Sequence, residues 1–374
     1  MQPFIFGDNM NGLYIHIPFC ARKCAYCDFV SYADKEQLTD AYLDALLREM
    51  AQYRGEKADT IFIGGGTPSI LTPNQIKRLC KMVFDNFDVA KDCEFTAEAN
   101  PGTLDEEKTT AMLEGGINRV SVGVQSFNDA ELRAIGRIHN AETAYNTILN
   151  LKKSGFNNIN LDLMTALPDQ TIESLKNTLK TAASLPVTHI SAYSLIIEDG
   201  TPLEKAHSKG DVTLPTEDED REMYSYVIDC LAQNGFNQYE ISNFARKGYE
   251  CRHNIKYWTF EPYIGLGVAA HSFDGESRAY NTDDLQEYIA GSKKQTIPLT
   301  RKDKISEFII TGLRMSNGIS TEKFKQLFGD DIENIYGFEL IKFMNLGLIQ
   351  KDAGRYFLSR KGIDVSNSVL CEFV

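Results

Sequence analysis

Long apolar runs are missing from this chain. No stretch approaches the roughly 20 residues that a membrane-crossing helix needs, and no signal-peptide pattern opens it. Positive charge is also short: 39 Lys and Arg against 52 Asp and Glu leave a net charge of −13. That balance excludes nucleic acid or an anionic membrane surface as the main partner. Tryptophan occurs once, as Trp258. The 8 cysteines lack the spacing of an extracellular disulfide framework, which places the chain in the reduced cytoplasm. Internal repeats and low-complexity segments are absent. What is left is a cytoplasmic chain of 374 residues, with room for one large domain and one small one. Residues 1–9 carry no motif, and Met10 stands just before the first strand pattern, so 1–9 read as a leader or tag.

What is present is concentrated between Leu13 and Phe29. Leu13, Ile15 and Ile17 alternate with Tyr14 and His16 as in a strand, and Pro18 ends it. Cys20, Cys24 and Cys27 then follow within eight residues, spaced C-x3-C-x2-C. Such a loop can wrap three sulfurs around one object, and thiolates select zinc or iron–sulfur clusters. Zinc spacing wants a second cysteine pair or histidines downstream, and none follows. A cubane normally takes four cysteines, so three leave one iron open, as a catalytic cluster requires. Cys80, Cys93, Cys230 and Cys371 are scattered and read as small hydrophobes.

Strand and helix patterns alternate from residue 13 to about 235. The strands read as 60–63, 95–98, 119–124, 160–163 and 189–193 after the first, with helices over 36–54, from Thr72, from Asp105, up to Lys153 and over 171–184. Six βα units imply a parallel sheet with right-handed crossovers, two units short of a closed barrel. Residues 10–235 form this unit and 236–299 an extension of it. Beyond Pro298, three helices (304–315, 321–328, 333–345) precede a hairpin turning at Ala353-Gly354, so 300–374 read as a small winged-helix-like domain. It carries no basic stripe, which points to packing or protein docking rather than DNA.

Ligands of parallel α/β sheets sit at the carboxyl ends of the strands. There the chain has Gly64-Gly-Gly-Thr-Pro-Ser69, whose glycines allow close backbone approach, and Glu98, which can accept hydrogen bonds from a ribose or an amine. Alternation puts Asp162 on the opposite face from Leu161 and Leu163, inside a polar barrel interior. A second distinctive stretch is Cys251-Arg-His-Asn-Ile-Lys-Tyr-Trp258, an imidazole beside two flat aromatics. It reads either as an axial iron ligand with a macrocycle cover or as a bonded loop histidine with aromatic filler. Nothing selects Cys251 as a ligand over a buried thiol. His271, in the following Tyr263–Phe273 stretch, reads as a pocket or structural residue, with iron ligation as the alternative.

The cysteine loop resembles that of radical S-adenosylmethionine (SAM) proteins, in which it holds a [4Fe-4S] cluster whose open iron is chelated by SAM. The wording Y-I-H-I-P-F-C…C…Y-C-D-F is similar to the oxygen-independent coproporphyrinogen III oxidase-like group, and within it to the HemW, heme chaperone branch. The resemblance implies an open (β/α)6 partial TIM barrel. It assigns the cluster to Cys20, Cys24 and Cys27, and SAM to Tyr14, Tyr26, Gly65, Gly66, Thr67, Glu98, Gln125, Arg137 and Asp162. His-Asn-x-x-Tyr-Trp is the branch's heme-associated signature, which assigns heme to His253, Tyr257 and Trp258. Two departures from the oxidase stand out: Phe29 replaces a further cysteine, and only nineteen residues precede Cys20. The implied function is a heme chaperone that passes heme to an acceptor protein, with an electron donor for the cluster. Peripheral contact with a membrane-bound acceptor is compatible with this. The alternatives are the oxidase itself or a radical SAM enzyme acting on another tetrapyrrole or an unrelated substrate.

Overall fold

The computed structural model describes residues 10–374, so the leader or tag expected over 1–9 lies outside the described residues. The six expected strands form the centre of the fold: β1 (Asn11–Ile17), β2 (Lys57–Gly65), β3 (Asp88–Ala99), β4 (Arg119–Gln125), β5 (Asn158–Thr165) and β6 (His189–Ser194). They lie side by side in chain order and pair in parallel. The helices between them include α1 (Thr39–Met50), α2 (Pro73–Asn86), α3 (Glu106–Glu114), α4 (Ala141–Ser154) and α5 (Ile172–Ser184). Their starts are written in the sequence: Thr72 caps α2 in a capping box with Gln75 and proline follows it, while Asp105, Asn140 and Thr171 cap the next three. Strands β2 and β3 run longer than their apolar cores of 60–63 and 95–98. Neighbouring backbone, rather than side-chain burial, carries their polar ends, as in the pairing of Lys57 with Asp88.

After α6 (Glu217–Gln233) the chain returns to both edges of this sheet. On one side β7 (Asn237–Glu240) and β8 (Asn243–Ala245) add antiparallel to β6. On the other, α7 (Arg252–Trp258) leads into β9 (Tyr263–Leu266), which pairs parallel with β1 and covers its open edge. Then β10 (His271–Phe273), β11 (Ser277–Tyr280) and β12 (Gln295–Pro298) extend the sheet antiparallel, giving twelve strands among the described residues.

The C-terminal region has its own core, in which Phe308, Phe324, Phe328, Phe343 and Phe373 pack with Phe260 and Phe273 from the sheet extension. Its helices are α8 (Arg301–Gly312), α9 (Thr321–Phe328) and α10 (Ile332–Asn345). Helix α8 begins three residues before the expected 304, because Thr300 and Asp303 form a capping box. The expected hairpin, β14 (Ile349–Asp352) with β15 (Arg355–Leu358), turns through Ala353 and Gly354, both at positive φ, and β13 (Ile319–Ser320) joins it.

Candidate functional site

The loop after β1 brings Cys20, Cys24 and Cys27 to the wall of one cavity of about 430 Å³ at the carboxyl ends of the strands. Burial raises the thiol pKa values of Cys20 and Cys27. Cys20 Sγ lies 3.4 Å from Thr67 Oγ1, and Arg137 Nη1 donates to Cys24 Sγ at 3.3 Å. These contacts orient two of the three sulfurs and place the Arg137 cation beside Cys24, where it offsets the charge of a thiolate. Among the described residues no three His, Cys, Asp or Glu side chains converge as tightly as a single metal ion requires. Three thiols spread along one wall suit a cluster, which separates its ligands more widely than one ion does.

The glycine turn is fixed to the root of this loop. Gly66 and Thr67 donate backbone N–H groups to Ile17 O and Phe19 O, each at 2.8 Å. A Cβ on Gly66 would fall 2.7 Å from Phe19 O, and Gly65, at φ 110°, would place one 2.5 Å from the His16 ring. The glycines are therefore required for strand-to-loop packing as well as for any ligand's approach. Gly65 N–H also donates to Glu98 Oε2 at 3.0 Å.

Of the other residues assigned to SAM, Tyr26, Glu98, Gln125, Arg137 and Asp162 line the same cavity as the thiols. Gln125 holds a positive φ of 67°, a strained position at the strand end. Arg137 is tied to Asn100 Oδ1 at 2.6 Å and to Gly123 O. Asp162 accepts from Ser121 Oγ and Asn160 Nδ2 at 3.1 and 2.7 Å. Glu98 is pushed up to about 8, first by burial and then by the Asp162 charge. Tyr14 stands apart from the thiols: it lines a smaller, polar cavity of about 230 Å³ reached from Glu98 and Asp162, together with Arg119, Tyr193, His253 and Tyr257.

A third cavity, of about 650 Å³, opens between the sheet extension and the C-terminal region. Tyr257, Trp258, Phe260, Tyr263, His271 and Phe273 line it, with Thr311 from α8. Asp28 and Phe29 line both this cavity and the thiol cavity, so the two share a wall. Phe29, which is 62% exposed, stands on that wall.

The structure puts Tyr257 and Trp258 on the large cavity but holds His253 behind them. His253 is 1% exposed, with Nδ1 2.9 Å from Thr60 Oγ1 and Nε2 2.7 Å from Tyr257 Oη. Burial, then the charges of Lys256 and Arg119, lower its pKa to about 3, so the ring is neutral and each nitrogen is already engaged. Trp258 has one face covered by the Arg314 guanidinium at 4.6 Å. Cys251 is fully buried, its pKa pushed up to about 12 by burial, and it lies against Glu94 rather than on a cavity.

Two residues of this region are not singled out by the sequence. Glu94 accepts the N–H groups of Arg252 and His253 at 3.2 and 3.1 Å and so caps α7 from β3. Arg119, 1% exposed, reaches the polar cavity beneath it. An arginine opening the apolar run 119–124 was the available signal; Glu94, in the polar stretch after Lys91, offered none.

A parallel sheet whose first strand ends in a three-thiol loop, with glycines and carboxylates on the next strand ends, is the architecture of a radical SAM protein, and residues 14–182 match the model of the Radical SAM superfamily. Residues 299–365 match the HemN C-terminal domain. The chain belongs to the HemW family: it is 39% identical over 368 residues to the heme chaperone HemW of Lactococcus lactis, covering 97% of each chain. It is 38% identical over 376 residues to that of Bacillus subtilis, covering 98% of this chain and 99% of the relative. Among solved structures, coproporphyrinogen III oxidase (HemN) from Escherichia coli, a radical SAM enzyme, superposes with a TM-score of 0.85 at 26% identity, over 98% of this chain and 90% of that one.

Proposed function

We propose that this chain is a heme chaperone, which binds heme in the 650 Å³ cavity and passes it to an acceptor protein. The observation that carries the reading is the cavity itself. It falls within the roughly 300–1,000 Å³ of small-molecule sites, is walled by the aromatics of the His-Asn-x-x-Tyr-Trp stretch, and abuts the thiol cavity through Asp28 and Phe29. The donor set at the thiol wall fits a [4Fe-4S] cluster held by Cys20, Cys24 and Cys27. When reduced by an electron donor, such a cluster supplies the electron that cleaves SAM. Gly65, Gly66 and Thr67 would receive SAM along their backbone, Tyr26, Glu98, Gln125, Arg137 and Asp162 would hold its polar groups, and Tyr14 would close the inner end. Tyr257 and Trp258 would face heme, with His253 fixing Tyr257 from behind. An acceptor at a membrane surface is compatible with the described residues, none of which forms a helix long and apolar enough to cross a bilayer.

Phe29 favours this reading over porphyrinogen decarboxylation, because it puts a bulky apolar ring where the oxidase pattern has a further cysteine. The test is anaerobic. Cluster-loaded protein titrated with heme is expected to saturate at one heme per chain with a new visible band, and to convert no coproporphyrinogen III to protoporphyrinogen IX when given SAM and reductant. Efficient decarboxylation without heme binding would assign the chain to the oxidases.

Glu98 gives SAM binding a pH dependence. Its carboxyl is protonated in the folded chain up to about 8. With a raised acid, the stability conferred by the protonated form is fully present below the unfolded value near 4.5 and is lost as pH rises through about 8. A cationic ligand favours the ionised carboxylate, so SAM binding near neutral pH is expected to release a proton and to tighten as pH rises through that window. Calorimetry in buffers of different ionisation heat reads the proton directly. Glu98→Gln should abolish the release, and an unchanged proton count in that variant would remove Glu98 from the site.

A further inference from the structure

The heme reading leaves open which atom of this chain meets the iron, and the residue placed behind Tyr257 is poorly situated to do so. For His253 to ligate from its described position it would have to give up Thr60 or Tyr257, and it does not line the 650 Å³ cavity. The cavity wall does contain two other imidazoles, His16 and His271, and only the second has its nitrogens free of hydrogen bonds among the described residues. His271, at the start of β10, is exposed on that wall, and among the described residues neither of its ring nitrogens has a hydrogen-bond partner.

We infer that His271 is an axial ligand of the heme iron in this cavity. The inference rests on the heme reading above and goes beyond it by naming the donor atom's side chain. Three observations converge on it. The ring is held by stacking rather than by hydrogen bonds: it lies 5.5 Å from the Tyr280 ring at an interplanar angle of 24°. The backbone carrying it is fixed, because β10 pairs His271 with Tyr280 and Phe273 with both Arg278 and Tyr263. Gly265 packs directly on it: a Cβ there would fall 1.9 Å from His271 O, so a glycine is what lets the two backbones meet this closely. A preset imidazole with an available nitrogen, beside Tyr257, Trp258, Tyr263 and Phe273, offers iron an axial bond and the macrocycle an aromatic enclosure. Of the other nitrogen-bearing side chains on the wall, Arg278 is taken by Glu307 at 2.6 Å and by Tyr263 Oη at 2.7 Å, and both ring nitrogens of His16 are engaged, Nδ1 with Tyr14 Oη at 3.0 Å and Nε2 with Val30 O at 2.8 Å.

The same geometry gives His253 a different task. Its hydrogen bond sets the position of the Tyr257 phenol, which lines the cavity, so changes at His253 reach heme through a neighbour.

The experiment uses the full chain with its cluster loaded and heme added. The oxidised cluster is silent in electron paramagnetic resonance, so a ferric heme signal is read without overlap. In the wild type this signal is expected to carry the signature of imidazole ligation. His271→Gly should lose that signature and bind heme about tenfold or more weakly, while cluster iron and sulfide stay at the wild-type level. Added imidazole should restore the signature in His271→Gly. His271→Met should shift the heme spectrum in a way that a merely structural residue would not. Wild-type protein that binds no heme would sink the chaperone reading itself. Heme binding with an unchanged signature in His271→Gly, or a loss that imidazole fails to restore, would overturn the assignment of His271 alone.

Discussion

Replacing any one of Cys20, Cys24 or Cys27 by Ala is expected to abolish the iron–sulfur cluster, measured as iron and sulfide per chain after anaerobic reconstitution. Each thiol is unique on its wall: no other cysteine of the chain lines the cavity of about 430 Å³ that these three share. Removing one leaves an iron without a thiolate, and a cubane already short of one cysteine has no ligand to spare. Four of the five remaining cysteines, those that are buried or half-buried, provide the control. Cys80 and Cys93 are buried in the barrel core, Cys230 packs against it, and Cys251 lies under Glu94. Ala at any of these four should leave iron near the wild-type level, with a stability cost confined to a small buried side chain, about 1 kcal/mol. The two sets should also differ in SAM's effect on the reduced cluster, which only the second set retains. A core-cysteine variant that loses as much iron as Cys24→Ala would refute the ligand assignment.

The parts of this site that were legible in the sequence are those in which the chain is its own neighbour. The thiols sit within one loop, so spacing alone brings them together. Thr72, Asp105 and Thr171 announce their helices, because a cap acts over three residues. Asp162 could be aimed correctly from alternation, since a strand's two faces are fixed by parity. The His-Asn-x-x-Tyr-Trp stretch marks a different limit. Its residue types point to a heme site, but which of them faces the cavity depends on Thr60, 193 residues away, receiving the imidazole. The cavity is similarly non-local. It exists because β9 inserts beside β1 and because the C-terminal region packs Phe260 and Phe273 into its own core. Neither event has a signature within a window of sequence. The edge strands β7 to β12 went unread for the same reason: with 3 or 4 residues each, they are stabilised by the sheet they join.

Glu94→Ala is expected to be the most damaging single change outside the cysteine loop. Glu94 is 7% exposed and its carboxylate makes three contacts to the start of α7: with Arg252 N at 3.2 Å, His253 N at 3.1 Å and Cys251 Sγ at 3.5 Å. It is also one of the anions that offset the buried Arg119 guanidinium, together with Asp162. Helix α7 is only 7 residues long and has no side-chain cap of its own, so this carboxylate from β3 supplies the acceptors that its first turn lacks. Truncation therefore strands two backbone donors and removes a counter-charge from a buried cation. Losses of this kind cost about 3–5 kcal/mol. Glu94→Gln keeps one acceptor oxygen and should fall between wild type and Ala. Trp258, the chain's single tryptophan, ends the same helix and reports its release directly. Chemical unfolding followed by tryptophan fluorescence should show an earlier transition in Glu94→Ala. Heme affinity should fall with it, because Tyr257 and Trp258 are carried on the helix that has lost its anchor. If Glu94→Ala unfolded at the wild-type denaturant concentration, α7 would have to be held by its other contacts: the hydrogen bond of His253 to Thr60 at 2.9 Å, the ion pair of Lys256 with Asp59 at 2.9 Å, and the aromatic packing of Phe62 against His253 at 5.4 Å and Tyr257 against Tyr263 at 4.5 Å. In that case heme binding too should survive the substitution.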